Sequence, residues 1–226
     1  MSNNAREEIL SRIRTGLTGT SYDTIESTRD FTEEKIVILR ETEAVRESLT
    51  RQFLTEVEKV NGNTETAADD LGIEQYIIRL IKDKNLRTFS IWESEYLKAL
   101  NLKQKLKDGG LKLITAKNKN RVSMSDIGIT EADYAISDTG TMVLLTDKNQ
   151  PRSISLLPPI HLAVVKKENI VRNIHDLFVI LKDTLNQTQE LGSCMTFITG
   201  PSRTADIELN LTLGVHGPKE LYVIIR

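Results

Sequence analysis

Cysteine is almost absent from this chain, and its scarcity excludes several kinds of chemistry. Cys194 is the single cysteine among 226 residues. One thiol cannot form an intrachain disulfide, a cysteine-based zinc site or an iron–sulfur cluster held by this chain alone. Because Cys194 precedes the apolar stretch MTFIT, we expect a buried small hydrophobic residue rather than a nucleophile.

Aromatic residues are also scarce, and the chain lacks a net positive charge and long apolar runs. Aromatics make up 5% of the chain and the formal net charge is -2, which leaves little for base-stacking surfaces or basic stripes. The first residues, MSNNAREEILSRIR, lack the apolar core of a signal peptide, and no stretch approaches about 18 consecutive apolar residues. We therefore expect no nucleic-acid binding and no membrane span, and the cytoplasm is the expected compartment.

The histidines form no pattern that is typical of metal binding. They stand alone at His161, His175 and His216, without an HExxH or HxH spacing. We therefore expect no metal and no cofactor held by this chain. His161 begins an apolar strand and His175 lies between Ile174 and Leu177 of an amphipathic helix, so we interpret both as structural.

What is present is typical of a globular α/β protein, with 39% hydrophobic and 27% charged residues. Residues 1–40 are predicted to form a helical arm and linker, and residues 41–226 an α/β domain. Helical and extended patterns alternate in the domain, which predicts an open, mainly parallel sheet with flanking helices. Such sheets bind ligands beyond the carboxyl ends of their strands.

The predicted helices cover residues 3–16, 41–60, 69–84, 94–108 and 168–186. The predicted strands cover residues 64–67, 87–92, 111–115, 134–137, 142–146, 161–165, 195–199 and 221–225, and residues 207–215 are predicted to be extended.

The first candidate loop, Gly200 to Asp206, follows a predicted strand. Gly200 allows close backbone approach, Ser202 and Thr204 supply hydroxyls, and the Arg203 guanidinium can bind an anion through two hydrogen bonds. This combination suits a carboxylate or a phosphate, although the loop is neither a Walker loop nor a GxGxxG motif. Alternatively, Ser202 or Thr204 caps the next element and Arg203 pairs with Asp206.

The second candidate loop places a carboxylate and two hydroxyls around a glycine. Asp138, Thr139, Gly140 and Thr141 separate two predicted strands, and Gly140 suits a turn with positive φ. The polar groups could bind a ligand hydroxyl or position a water molecule. An ordinary hairpin turn is the alternative.

The third candidate loop, Gly214 to Pro218, holds His216 between glycines. There the imidazole could act as an acid, a base or a hydrogen-bond donor. A histidine that only satisfies loop carbonyl groups is the alternative. Arg152, one residue after Pro151, is a second candidate cation, ranked after Arg203.

Three segments together carry a family resemblance: ITEADYAISDTGTMVLL, PRSISLLPPIHLAVV and ITGPSRTADIELNLTLGVHGPKELYVII. In this order they resemble the LUD domain of lactate utilization protein C, over about residues 125–226. The resemblance implies a fold similar to that of sugar-phosphate isomerases, CoA transferases and formyltetrahydrofolate cyclo-ligase. It also implies a role in oxidising L-lactate to pyruvate, alongside two partner proteins that carry iron–sulfur clusters. It supplies no agreed catalytic residue, so Asp138 and His216 are candidates on chemical grounds.

The family resemblance and the three candidate loops together suggest three possible functions. The first is a non-redox subunit of an L-lactate utilization system that binds a small carboxylate, another small anion or a partner through the three loops. The second is a stand-alone enzyme for a phosphorylated or acyl-CoA substrate, with Asp138 or His216 as acid or base and Arg203 on the anion. The third is a docking scaffold without catalysis.

Overall fold

The computed structural model describes residue 11 and residues 42–116, 119–188, 192–205 and 211–226. Most of the predicted arm and linker, Asp206 and the first part of the predicted extended segment 207–215 lie outside this part of the chain. In the described residues no helix is long and apolar enough to cross a bilayer.

Helices and strands alternate along most of the described chain. The helices are α1 (Glu43–Lys59), α2 (Asp70–Asp83), α3 (Glu95–Ala99), α4 (Leu102–Asp108), α5 (Lys119–Val122), α6 (Ser153–Leu156) and α7 (Ile174–Thr188). The strands are β1 (Asn63–Thr66), β2 (Thr88–Ile91), β3 (Lys112–Leu113), β4 (Ile127–Ala132), β5 (Tyr134–Ile136), β6 (Thr141–Thr146), β7 (Ile160–Val165), β8 (Ile170–Val171), β9 (Cys194–Ile198), β10 (Arg203–Ala205), β11 (Leu211–Leu213) and β12 (Glu220–Ile225).

A six-stranded parallel sheet forms the centre of the domain, in the order β1-β12-β7-β4-β2-β3. Every neighbouring pair in it is parallel. All six residues of β7 are buried, as expected for a strand covered on both faces by other elements. The prediction of an open, mainly parallel sheet with flanking helices is confirmed.

The central strand β4 was not predicted. Its sequence, IGITEA, mixes apolar residues with Gly128, Thr130 and Glu131, so it shows neither a continuous apolar run nor clean alternation. Gly128 has a packing role: a Cβ at this position would overlap the carbonyl oxygen of Ile154 in α6. Close packing of α6 on the sheet therefore requires glycine at a position where sequence patterns disfavour a strand.

A second sheet was also absent from the prediction. Its four strands follow the order β8-β5-β6-β9, and β5 and β6 form the expected antiparallel hairpin. It has a small core of its own, formed by Ile136, Val143, Val171, Leu177 and Leu181. Strands β10 and β11 form a separate antiparallel pair.

Two predicted helix boundaries were wrong. The helix predicted over residues 168–186 begins at Ile174, because a 3-10 turn and the short strand β8 come first. The helix predicted over residues 94–108 is two helices, since Asn101 has a left-handed φ of 51°. After α1, Asn61 takes the left-handed conformation, with φ 64°.

One carboxylate joins the amino ends of β2 and β4. Asp126 Oδ2 accepts hydrogen bonds from the amides of Arg87 and Thr88, both at 2.8 Å. In return the Asp126 amide donates to the Thr88 hydroxyl at 2.9 Å. Burial alone would raise the pKa of Asp126, but the hydrogen bonds from Arg87 and Thr88 outweigh it and lower the pKa.

Asp126→Ala should therefore destabilise the domain by about 2 kcal/mol at pH 7, because two amides lose a charged acceptor. The measurement is urea unfolding. The control is Asp108→Ala. Among the described residues its exposed carboxylate accepts from Gln104 alone, so it should contribute under about 0.5 kcal/mol. The pKa of the folded state is depressed, so this contribution is lost as the pH falls below 3.8. Equal effects of the two variants would contradict the account.

Candidate functional site

Two of the three candidate loops are in direct contact. The Ser202 amide donates to the carbonyl oxygen of Pro218 at 2.9 Å, and the Gly214 amide donates to that of Ser202 at 2.9 Å. A Cβ on Gly217 would lie 3.1 Å from the Cβ of Ser202. The Gly200 and His216 loops are thus held together by backbone contacts.

A chain of hydroxyls brings in the third loop. Thr139 Oγ1 donates to Thr141 Oγ1 at 2.8 Å, and Thr141 Oγ1 lies 2.7 Å from Thr199 Oγ1. Thr199 directly precedes Gly200, so this chain connects the hairpin turn to the loop after β9. All three candidate loops therefore belong to one region of the fold.

Thr141→Val should destabilise the protein by about 1 to 2 kcal/mol, since it removes the hydroxyl that bonds both Thr139 and Thr199. Thr141→Ser retains the hydroxyl and loses one methyl group. We expect it to preserve more of the stability. Urea midpoints of the two variants check this, and a serine variant no more stable than the valine variant would contradict it.

A cavity of about 190 Å³ lies against the Gly200 and His216 loops. It is adjacent to His161 near the start of β7 and Leu221 near the start of β12, so it lies at the amino-terminal edge of the parallel sheet. This is the opposite edge from the one where open parallel sheets usually bind ligands. Its polar side chains are Ser155, His161, Thr196, Thr199, Ser202 and His216, and the rest of its wall is apolar or glycine.

Among the residues that the structure describes, the cavity lining contains no carboxylate, and His161 and His216 are its ionisable side chains. The amides of Gly200, His216 and Gly217 donate no hydrogen bond to the residues that the structure describes. Free amides, hydroxyls and imidazole are groups that bind anions and polar neutral groups. The lining therefore favours such a ligand over a cation.

His161 is the most enclosed polar group of the cavity. Its side chain is fully buried, and Nε2 lies 2.8 Å from Thr130 Oγ1. Nδ1 has no hydrogen-bond partner in the part of the chain that the structure describes. Burial lowers the pKa of His161 to about 3, so the imidazole is neutral at physiological pH.

A second, more open cavity of about 520 Å³ lies at the carboxyl ends of β1 and β12. Arg46, Lys167 and Arg226 line it together with Glu43 and Glu168. Arg226 is paired with Asp70 of α2, and Lys167 Nζ lies 3.7 Å from Glu47 Oε2. Nowhere in the described ranges do three or more His, Cys, Asp or Glu side chains group so as to hold a metal ion.

Comparison with known proteins identifies the family. The model of the LUD domain matches residues 50–225, which is most of the chain. The chain belongs to the LUD domain family. Similar proteins include lactate utilization protein C of Bacillus licheniformis, 37% identical over 110 residues (48% of this chain and 46% of the relative). Another is lactate utilization protein C of Halalkalibacterium halodurans, 40% identical over 107 residues (47% of this chain and 46% of the relative).

These matches span a little under half the length of each curated relative. Among solved structures, a DUF162 family protein from Deinococcus radiodurans has a TM-score of 0.55 and 19% identity, covering 80% of this chain and 97% of the other. At that identity the likeness concerns the fold, and it agrees with the helix-flanked parallel sheet described above.

Of the predicted site residues in this LUD domain, Gly200, Ser202 and His216 line the cavity. Thr141 is buried and reaches the cavity only through Thr199, while Thr139 is exposed. A role of Gly200, Ser202 and His216 in ligand binding stays a prediction. Thr139 and Thr141 would act on the ligand only indirectly, through Thr199.

Asp138 and Gly140 occupy the turn but do not line the cavity. Asp138 is exposed, and its carboxylate makes no hydrogen bond with a described residue. Gly140 has φ 61°, and a Cβ there would lie 2.6 Å from the Val57 nitrogen. Gly200 similarly has φ 80°, with the Val60 oxygen 2.9 Å from such a Cβ. Both glycines therefore allow close packing against the end of α1, in addition to any ligand contact.

Arg203 is exposed on β10, beside the cavity rather than in its wall, and makes no ion pair with a described residue. Thr204 is half-buried and also lies outside the lining. The pairing of Arg203 with Asp206 concerns a residue outside the described part of the chain. Arg152 is exposed at the start of α6.

Of the two remaining singled-out residues, Cys194 differs from expectation in its burial. Cys194, expected to be buried, is half-buried at the start of β9, because an edge strand covers its side chain on fewer sides. His175 is exposed in the first turn of α7. Neither lines the cavity.

Sequence reasoning missed the contribution of His161 to the cavity. A histidine at the start of an apolar strand is typical of a core position, and the core interpretation agrees with its burial. Its neighbours in the cavity come from β9 and the loops around Ser202 and His216, which are distant in sequence. No local pattern indicates that contact.

Proposed function

We propose that this LUD domain protein is a non-redox component of an L-lactate utilization system, and that its cavity binds a small organic anion. The observation that carries the proposal is the described part of the cavity lining, which combines hydroxyls, two imidazoles and three amides that donate to no described residue, and which includes no carboxylate. Relatives named lactate utilization protein C support the pathway.

The size of the cavity supports a small ligand. Pockets for drug-sized ligands are roughly 300 to 1,000 Å³, and this cavity is about 190 Å³. A short carboxylic acid is compatible with that volume, whereas a nucleotide or CoA ester is too large to be enclosed. The exposed Arg203 guanidinium beside the cavity would attract an approaching carboxylate.

The redox step belongs in this proposal to partner proteins. Oxidation of L-lactate to pyruvate releases electrons, and one cysteine cannot hold the iron–sulfur cluster that would accept them. The family resemblance implies partners that carry such clusters. This chain would then bind the anion, or present it to a partner, through the loops around Gly200 and His216.

The test is growth of a strain from which the gene is deleted, with L-lactate as sole carbon source. We expect slow or no growth on lactate and normal growth on glucose. The wild-type gene and a His175→Ala control, altered at an exposed site away from the cavity, should restore growth. His216→Ala should restore it poorly. Normal growth of the deletion strain on lactate, with no second copy of the gene, would refute the proposal.

The second cavity favours a different candidate, an enzyme that acts on a phosphorylated or acyl-CoA substrate. Its volume of about 520 Å³ admits a larger ligand, and Arg46 makes no ion pair with a described residue. Calorimetry with a sugar phosphate, a nucleotide and a CoA ester tests this candidate. Affinity that is lost in Arg46→Ala would support it, and no affinity for any of the three would remove it.

A further inference from the structure

We infer that His161 recognises the buried end of the ligand, and that the cavity selects small carboxylates carrying an uncharged hydroxyl or carbonyl group. This inference rests on the proposed function and names the ligand class for the same cavity. It assigns a binding role to a residue whose sequence context indicates only a core position.

The position of His161 is fixed by its strand neighbours. In register, His161 lies between Gly128 of β4 and Leu221 of β12. Side chains of residues paired in register share one face of a sheet, and Leu221 is part of the same cavity wall. Because Gly128 has no side chain, α6 packs closely on this face and Ser155 of that helix also reaches the cavity. The imidazole thus shares this face of the sheet with Leu221 of the cavity lining.

The hydrogen bonds of the imidazole leave one nitrogen for a ligand. Thr130 Oγ1 lies 2.8 Å from Nε2 and determines which ring nitrogen is engaged. Nδ1 is buried without a partner among the described residues, and His161 is part of the cavity lining. Buried polar atoms in proteins nearly always have a partner. The unpaired Nδ1 is therefore an independent sign that a polar group occupies the cavity.

The charge state of His161 restricts the partner of Nδ1. Full burial lowers the pKa of His161 to about 3, so the ring offers one hydrogen bond but no positive charge. A carboxylate at that depth would lose hydration without a cation to compensate it. A hydroxyl can bond either tautomer, and a carbonyl oxygen can accept from Nδ1–H.

The opposite end of the ligand then carries the charge. His216 is exposed, and Gly200 and Gly217, whose amides donate to no described residue, line the same cavity. These groups can hydrogen-bond a carboxylate that keeps part of its hydration. The expected orientation is therefore an uncharged hydroxyl or carbonyl towards His161 and the carboxylate towards His216.

Calorimetry on the full chain tests this with L-lactate and propionate, which differ by one hydroxyl. We expect the wild-type protein to bind L-lactate about tenfold or more tightly than propionate, as in sites built around a ligand hydroxyl. His161→Phe should reduce this ratio to about one, and the His175→Phe control should leave it unchanged. A lactate preference that persists in folded His161→Phe would overturn the inference.

A second measurement covers the case in which His161→Phe fails to fold. In wild-type protein labelled with ¹⁵N-histidine, the Nδ1 resonance of His161 should shift with L-lactate and not with propionate. No shift at saturating L-lactate would mean that Nδ1 bonds only a trapped water molecule, and would overturn the inference. Binding of neither acid would also overturn it, while slow growth of the deletion strain on lactate would still support the proposed function.

Discussion

Gly128→Ala is expected to destabilise the domain by more than about 3 kcal/mol, or to prevent folding. An added methyl group would overlap the Ile154 carbonyl oxygen and lie 3.0 Å from Pro158 Cγ. Extra atoms in a packed core typically destabilise a protein by about 1 to 3 kcal/mol. Here the obstacle is backbone of α6, which cannot rotate away as a side chain can. Separating α6 from β4 would also displace Ser155 from the cavity wall.

The matched control is Gly110→Ala, after α4. Gly110 has φ 90°, but no atom lies within 4 Å of a Cβ added there. Only backbone strain opposes this change, at about 1 to 2 kcal/mol. Urea unfolding of both variants measures the two losses of stability. It thereby separates the effect of steric overlap at Gly128 from the effect of a positive φ at Gly110. Similar losses at the two positions would contradict the close packing of α6 on β4.

Asp133→Asn is expected to stabilise the protein by about 2 kcal/mol at pH 7.5. Asp133 lies between β4 and β5, and its Oδ2 accepts from the Leu145 amide at 2.7 Å. Burial raises the pKa of Asp133 to about 6, against the opposing effect of that amide, and Glu131 raises it further. The difference from 3.8 corresponds to about 3 kcal/mol, which partial exposure of the side chain reduces. Asparagine keeps the acceptor and removes the buried charge.

The stabilisation should depend on pH in a definite direction. The pKa of Asp133 is higher in the folded state, so its charge opposes folding above pH 6 and the penalty disappears as the pH falls towards 3.8. The advantage of Asp133→Asn should therefore vanish near pH 4. Denaturant unfolding from pH 4 to 8 measures it, with exposed Asp108→Asn as the control. An advantage that is equal at pH 4 and pH 7.5 would contradict the assigned cause.

His161 produces the opposite pH dependence. Its pKa is lower in the folded state, so its contribution is complete above pH 6.5 and is lost as the pH falls towards 3. Between about pH 4 and 6 the two groups nearly cancel in the wild-type protein. In Asp133→Asn the loss due to His161 should appear alone, at about 1.4 kcal/mol per pH unit. A flat profile of that variant over the same range would contradict the buried neutral imidazole.

Sequence patterns predicted the elements that have strong local signals. Helix α2 has Asp69 as its N-cap, accepting from the Gly72 amide at 2.8 Å, and this start was predicted. Strand β7 is apolar apart from His161, and it was predicted from this run. In contrast, β4 contains Gly128, which only the packing of α6 explains, and β8 has two residues. Tertiary packing rather than local propensity determines these two strands.

The site was predicted in part for the same reason. Glycine and hydroxyl patterns indicated the loops that contain Ser202 and His216, and the structure brings these loops together. Polar chemistry alone could not distinguish the cavity wall from the exposed surface, so Asp138 and Arg203 were included. Conversely, the sequence around His161 indicates only a core position. Its contact with the loops depends on the order of the strands, which a local pattern does not reveal.

A crystal structure of the full chain soaked with L-lactate tests the central claim most directly. The account predicts lactate in the cavity between His161 and His216, with its hydroxyl within hydrogen-bond distance of His161 Nδ1. Lactate bound instead beside Arg46 and Lys167, or an empty cavity at a lactate concentration that saturates the protein in solution, would contradict it.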